Sequence, residues 1–182
     1  YVFAQDYPAL ISQDIRAAVF RLDMAPELSR EAERQKRRGF VHIKLDTGMS
    51  RIGFPDTAEG LDAVCETAEL PGLELEGLFT HFARADEADK TYADRQLARF
   101  LSLRAACEDR GVQFPLSHCA NSAAIIDMPE CSMDLVRAGI ALYGLYPSDE
   151  VQKERVALTP AMELKSHIVH VKEIEAGTQV SY

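Results

Sequence analysis

Short apolar runs and helix-patterned stretches take turns along most of this chain, and that alternation leaves few architectures open. Residues 16–20, 41–46, 77–80 and 114–118 have the length and apolar content of strands, and 136–140 reads as a further strand end. Between them fall helical periods over 26–38, from Asp56 to the Pro71-Gly72 pair, over about 90–110, and a short one from Ser122. Strands that each feed a helix build a parallel sheet with crossover helices. A whole (β/α)8 TIM barrel takes about 250 residues, and this chain has 182. The expected fold class is therefore α/β, a partial (β/α)8 barrel whose opening strands lie upstream of Tyr1.

The tail breaks the alternation. From Leu158 the pattern turns β-rich over 161–172 with no helix after it, and Glu175-Ala176-Gly177 reads as a turn. The expected division is 1–157 as part of the barrel and 158–182 as the first strand of a C-terminal all-β domain, with 147–159 as the linker.

Local signals refine the helices. In the 26–38 helix Pro26 stands in the first turn and Gly39 just beyond the end, with Glu27 early and Lys36, Arg37 and Arg38 late, as the helix dipole favours. Asp56 with Glu59 resembles a capping box for a helix that buries Leu61, Val64, Cys65 and Ala68. In the long helix Ala93, Leu97, Phe100, Leu101 and Ala105 form the inward stripe, and Gly111 is the stop.

Composition narrows the class of partner. A net charge of −9 argues against nucleic acid and anionic membrane surfaces, which call for basic proteins. No apolar run approaches a membrane span, and the start lacks a basic signal-peptide region. Cys65, Cys107, Cys119 and Cys131 are too widely spaced for a metal site or a disulfide framework, so a reducing, cytoplasmic setting is expected and no metal.

One stretch concentrates polar chemistry. In 41–54 a period of two puts His42, Lys44 and Asp46 on one face of a strand and Val41, Ile43 and Leu45 on the other. Thr47-Gly48 ends the strand, and a tight loop up to Gly53 carries Arg51. Taken alone, this is also the pattern of a solvated surface strand. Polar groups at the carboxyl end of a strand are nonetheless where α/β enzymes gather their ligands.

The string KLDTGMSRIGF within that stretch resembles the motif loop of the alanine racemases, enzymes that use pyridoxal 5'-phosphate (PLP) to interconvert L- and D-alanine. Four more blocks are similar to that family in the same order: GxFTHFAxADE at 77–87, HxANSAA at 118–124, DxVRxGIxLYG at 134–144, and LxPAMxLKSxIxxVKxIxxGxxVSY at 158–182. The departures are mild: Ser50 where the family often has Gly, and Arg84 where a small or polar residue is common.

The resemblance implies roles. Ser122, which by itself reads as a helix N-cap, is implied to bind the PLP phosphate together with the backbone amides of Gly139 and Ile140. Arg137, which by itself reads as one half of a buried ion pair with Asp134, is implied to donate to the pyridine nitrogen while keeping its own proton. His81, otherwise a satisfied core histidine, is implied to support the cofactor beside Arg137. Arg51 is implied to orient the substrate carboxylate. Lys44 reads either as a charged barrel lysine or, by the resemblance, as a lysine often carbamylated in this family, whose carbamate would fix Arg51.

Two catalytic groups of the family fall outside this segment. The lysine that holds PLP as a Schiff base is implied to lie upstream, and the catalytic tyrosine, contributed by the partner subunit, a few residues past VSY, so Tyr182 is its neighbour. Lys44, Lys90 and Lys165 stand in no such motif. The implied whole is a homodimeric, cytoplasmic enzyme supplying D-alanine for peptidoglycan, with the segment alone inactive. A serine or broad-specificity racemase of the same family and a non-catalytic PLP-binding barrel protein are the alternatives.

Overall fold

The computed structural model describes residues 2–181; Tyr1 and Tyr182, and with them the reading of Tyr182 as neighbour of a catalytic tyrosine, lie outside the described residues. The regular elements are α1 (Tyr7–Ser12), β1 (Ala17–Val19), α2 (Met24–Arg34), β2 (Gly39–Asp46), β3 (Phe54–Pro55), α3 (Ala58–Ala68), β4 (Leu73–Phe79), α4 (Thr91–Asp109), β5 (Leu116–His118) and α5 (Ser122–Asp127). All strand pairs are parallel and the sheet order is β1-β2-β4-β5, with β3 beside β2. This is the partial barrel expected of the alternation.

The alternation in β2 sets the two faces. Val41, Ile43 and Leu45 turn outward and are buried with Leu28 and Ala32 of α2, Val64 of α3, and Phe100 and Leu103 of α4. The other face, turned away from the helices, is the inner face. Lys44 of β2 stands opposite Phe79 of β4, which stands opposite His118 of β5, so these three form one inner row. Phe79 and His118 stack with centroids 4.8 Å apart and an interplanar angle of 9°.

One irregularity interrupts β4. Val41 pairs with Leu75 but the next residue, His42, pairs with Gly77, which makes Glu76 the extra residue of a β-bulge. Leu73, Leu75 and Leu78 thereby all face the helix side, although strict alternation would divide them.

Several boundaries differ from those read in the sequence. Helix α2 ends at Arg34, and Lys36 adopts a left-handed φ of 54°, so Lys36, Arg37 and Arg38 lie past the helix and only Arg34 occupies its last turn. The cap of α3 is Thr57, whose hydroxyl accepts from Gly60 N at 3.2 Å, and Asp56 lies outside the helix. Ala68 is exposed. On α4 the buried stripe is Ala93, Gln96, Phe100, Leu103 and Cys107, whereas Leu101 and Ala105 are exposed. A polar residue, Gln96, thus lies on the stripe because it has partners there.

The segment expected as a strand at 136–140 has no strand. It runs beside β5 with isolated bonds from Asp134 N to Ser117 O and Arg137 N to Ala120 O, then closes into a 3-10 turn over Ile140–Tyr143. Residues 161–172, expected as a strand, form no ladder either. Ala161 N donates to Tyr143 O at 3.0 Å, and beyond it Leu164 is 98% and Val169 95% exposed.

Candidate active site

The carboxyl ends of β2, β4 and β5 and the 134–144 segment converge, and each supplies polar groups. After β2, Asp46 Oδ1 accepts from Gly48 N and Ser50 N, each at 3.0 Å, which folds the loop back on its own strand. Tyr92 of α4 donates to Gly48 O at 2.7 Å and pins the loop from outside. Ser50 takes a left-handed φ of 56° in this turn, a conformation that suits Gly better. Arg51 projects from the loop with its side chain exposed.

Below the loop, Lys44 is 3% exposed and donates to Leu45 O at 2.6 Å. Burial pushes its pKa down to about 8, helped by Arg137 and Arg51 and opposed by Asp46. Its ammonium stands 5.7 Å from the centre of the Phe79 ring.

Arg137 occupies the middle of the floor. Its Nη2 donates to Thr80 O at 2.8 Å and Cys119 O at 3.2 Å, and lies 3.5 Å from His81 Nδ1. Its Nη1 lies 2.5 Å from His118 Nδ1. These partners replace the ion pair with Asp134 that the sequence allowed, since the Asp134 carboxylate accepts from Ser117 N at 2.7 Å. Burial and the nearby Arg137 charge push His81 down to about 4 and His118 down to about 3, so both imidazoles are neutral at pH 7.

At the other wall, Asn121 Oδ1 caps α5 by accepting from Ala124 N at 3.1 Å, so the cap is Asn121 and Ser122 is the first helical residue. Ser122 Oγ accepts from Gly139 N at 2.9 Å and Ala141 N at 3.3 Å. A side chain built on Gly139 would meet nothing closer than Ser122 Oγ at 3.8 Å, so the glycine leaves open space before the main chain.

His81, Ser122, Arg137, Gly139 and Ile140 all line one open cleft of about 330 Å³, together with Met49 of the loop. Lys44 and Arg51 are not part of its lining. A family profile described as the alanine racemase N-terminal domain matches residues 1–147. The chain belongs to the alanine racemase family. It is 46% identical over 182 residues to an alanine racemase of Desulforamulus reducens, covering 100% of this chain and 49% of that relative. Among solved structures, the alanine racemase of Clostridium difficile 630 in complex with cycloserine matches with a TM-score of 0.90 and 40% identity, covering 95% of this chain and 48% of that one. The alanine racemase of Bacillus anthracis with bound L-Ala-P matches with a TM-score of 0.88 and 33% identity, covering 100% of this chain and 47% of that one. This chain thus spans about half the length of the alanine racemases it matches.

Three groups in and beneath this cleft escaped the sequence reading. His118 bonds Arg137, Gln96 ties Thr47, His81 and Ala83 together, and Thr80 shares a 2.8 Å hydroxyl contact with Thr47. Gln96 had a signal, a polar residue at the spacing of an apolar stripe. His118 had one too, as the first residue of its motif block at the end of a strand.

Proposed function

We propose that the intact protein containing this chain is a PLP-dependent alanine racemase, interconverting L- and D-alanine for peptidoglycan synthesis in the cytoplasm as a homodimer. The observation that carries this reading is the convergence of His81, Ser122, Arg137, Gly139 and Ile140 on one cleft. Supporting it, the relatives from Clostridium difficile and Bacillus anthracis are solved with cycloserine and L-Ala-P respectively.

The donors present fit PLP. With its lone pairs engaged by Gly139 N and Ala141 N, the Ser122 hydroxyl keeps its own hydrogen to give to a phosphate. The Gly139 N–H is already given to Ser122 Oγ, so of the two amides the Ile140 N–H is the one offered to the same group, approached across position 139 where no side chain stands. Arg137 is the donor for the pyridine nitrogen. A guanidinium holds its proton, so that nitrogen stays uncharged and the electron sink is tempered, which suits racemisation over transamination. When bound, PLP supplies the electron sink that makes removal of an amino acid's α-proton feasible. His81 stays neutral beside Arg137 and adds no second positive charge. Arg51, exposed above the floor, takes the substrate carboxylate as a guanidinium fork. The low pKa of Lys44 raises its share of neutral amine, the form that reacts with carbon dioxide to give a carbamate. The proton-transferring lysine and tyrosine lie outside this segment, and 158–182 opens the C-terminal β domain that carries the tyrosine.

Expression of the longest reading frame containing this chain, with PLP absorbance and L-to-D alanine exchange recorded beside Arg51→Ala, tests the proposal. Exchange that collapses in the variant supports it. A PLP band with exchange of serine but not alanine redirects the substrate, a PLP band with no exchange leaves a binding protein, and no band ends the PLP reading.

A further inference from the structure

A line of side chains crosses the inner face from Arg137 to the opposite end of the sheet. Arg137 Nη1 lies 2.5 Å from His118 Nδ1, His118 Nε2 lies 2.7 Å from His42 Nδ1, and His42 Nε2 lies 3.2 Å from Glu76 Oε2. Arg16 closes the line, gripping both Glu76 oxygens from Nε at 3.0 Å and Nη2 at 3.1 Å.

The two ends dictate every proton between them. A guanidinium can only donate, so His118 Nδ1 must accept and the imidazole's single proton sits on Nε2. That proton points at His42 Nδ1, which therefore accepts, leaving the His42 proton on Nε2 and aimed at Glu76. An ionised carboxylate can only accept, and Arg16 holds Glu76 below the usual carboxylate pKa. The line reads the same way from either end: Arg137 donates to His118, His118 to His42, and His42 to Glu76.

Two local departures in β4 make the line reachable. The bulge places Glu76 out of strict alternation, where its carboxylate meets His42 and Arg16. Gly77 lies opposite His42, and a Cβ there would come within 2.5 Å of His42 Nδ1, so the imidazole crosses the strand only because the glycine has no side chain.

We propose that Glu76 is a positioning residue for Arg137, fixing the tautomers of His42 and His118 so that His118 Nδ1 is held as the acceptor that orients the guanidinium. The inference rests on the reading of Arg137 as the group that faces the cofactor. Arg137 has two carbonyl acceptors on Nη2, but among the described residues Nη1 has His118 as its hydrogen-bond partner. Losing that acceptor lets the guanidinium plane turn.

The test uses 15N-labelled protein from the full reading frame, first without PLP. Long-range imidazole spectra of the wild type are expected to show His42 and His118 both protonated at Nε2. In Glu76→Leu the His118 Nδ1 and Arg137 Nη resonances should move, and in Glu76→Gln they should stay near wild type, because the amide oxygen can still accept from His42. With PLP bound, Glu76→Leu should shift the cofactor absorption band and lower kcat about fivefold, the size of one lost hydrogen bond, with KM little changed. Glu76→Gln should recover most of both. A wild-type His118 protonated at Nδ1 overturns the proposal even where the leucine variant does not fold. So does a folded leucine variant with unmoved His118 and Arg137 signals. Resonances that behave as expected in a protein without a PLP band would support the line of bonds and reject the cofactor assignment.

Discussion

Ser122 Oγ accepts the backbone N–H of Gly139 at 2.9 Å, so a single hydroxyl fastens the segment after Arg137 to the first turn of α5. The same hydroxyl is placed to donate into the cleft. Ser122→Ala is expected to weaken PLP binding about 10- to 100-fold, through the lost donor and a slackened segment. Fluorescence titration of the full-length protein with PLP measures it, and an unchanged affinity would leave the hydroxyl as a tether only.

Lys44 makes stability depend on alkaline pH. Its folded pKa of about 8 lies below the ordinary 10.5, so between these values the unfolded chain binds more protons and stability rises with pH. The total rise is at most about 3 kcal/mol. Lys44→Met should flatten this slope and stabilise the fold at pH 7. Urea titrations in carbonate-free buffer at several pH values check it, and parallel slopes in both proteins would refute it.

His81 and His118 act on the acid side. Their folded values of about 4 and about 3 are depressed from 6.5, so the folded chain resists protonation that the unfolded chain accepts. Stability should therefore fall as pH drops below 6.5 and continue to fall toward 3. His81→Asn should reduce that fall in denaturation midpoints. An acid profile identical to wild type would count against a buried neutral His81.

Gly77→Ala and Gly111→Ala separate two reasons for glycine. At Gly77 the added carbon would meet His42 Nδ1 at 2.5 Å and push the ring away from His118, which is expected to cost about 1–3 kcal/mol. At Gly111 nothing lies within 4 Å, but the backbone sits at φ +84°, and the expected loss is about 1 kcal/mol. Chemical denaturation of the two variants ranks them, and a larger loss at Gly111 would argue that His42 yields without consequence.

Gln96 is a buried amide with three partners: it accepts from Ala83 N at 2.8 Å and donates to His81 O at 3.1 Å and Thr47 Oγ1 at 3.3 Å. Gln96→Leu keeps the volume and strands those groups, so a loss of about 2–4 kcal/mol is expected. Looser amide exchange at Ala83 should accompany it. Near-wild-type stability would mean that water replaces the amide.

The periodicities of this chain revealed the partial barrel, its parallel order and the inner face of β2, because two-residue and helical repeats report directly on which side of an element is buried. The end of α2 was misjudged because a run of Lys36, Arg37 and Arg38 looks as well placed in a last turn as beyond it, and only the left-handed backbone at Lys36 decides. Leu101 was misassigned because a stripe one residue out of phase looks equally apolar until Gln96 is seen to belong to the buried face. Within the cleft, the motif residues could be named from sequence. The bonds from His118 to Arg137 and from His42 to Glu76 could not, since they join residues 19 and 34 positions apart, the first through a segment with no strand and the second through a register that depends on the bulge.

That bulge means that β4 stores part of its information as length. With Glu76 in place, Leu75 and Leu78 share the helix side while Gly77 and Phe79 share the other. Deleting Glu76 would restore simple alternation and leave the rest of β4 on its present faces, with Gly77 still opposite His42 and Phe79 still opposite Lys44. The row of Lys44, Phe79 and His118 would keep its middle member, and what would disappear is the carboxylate that His42 and Arg16 share. The strand thus carries one residue more than its two faces require, and that surplus position is the one that anchors the far end of the line from Arg137.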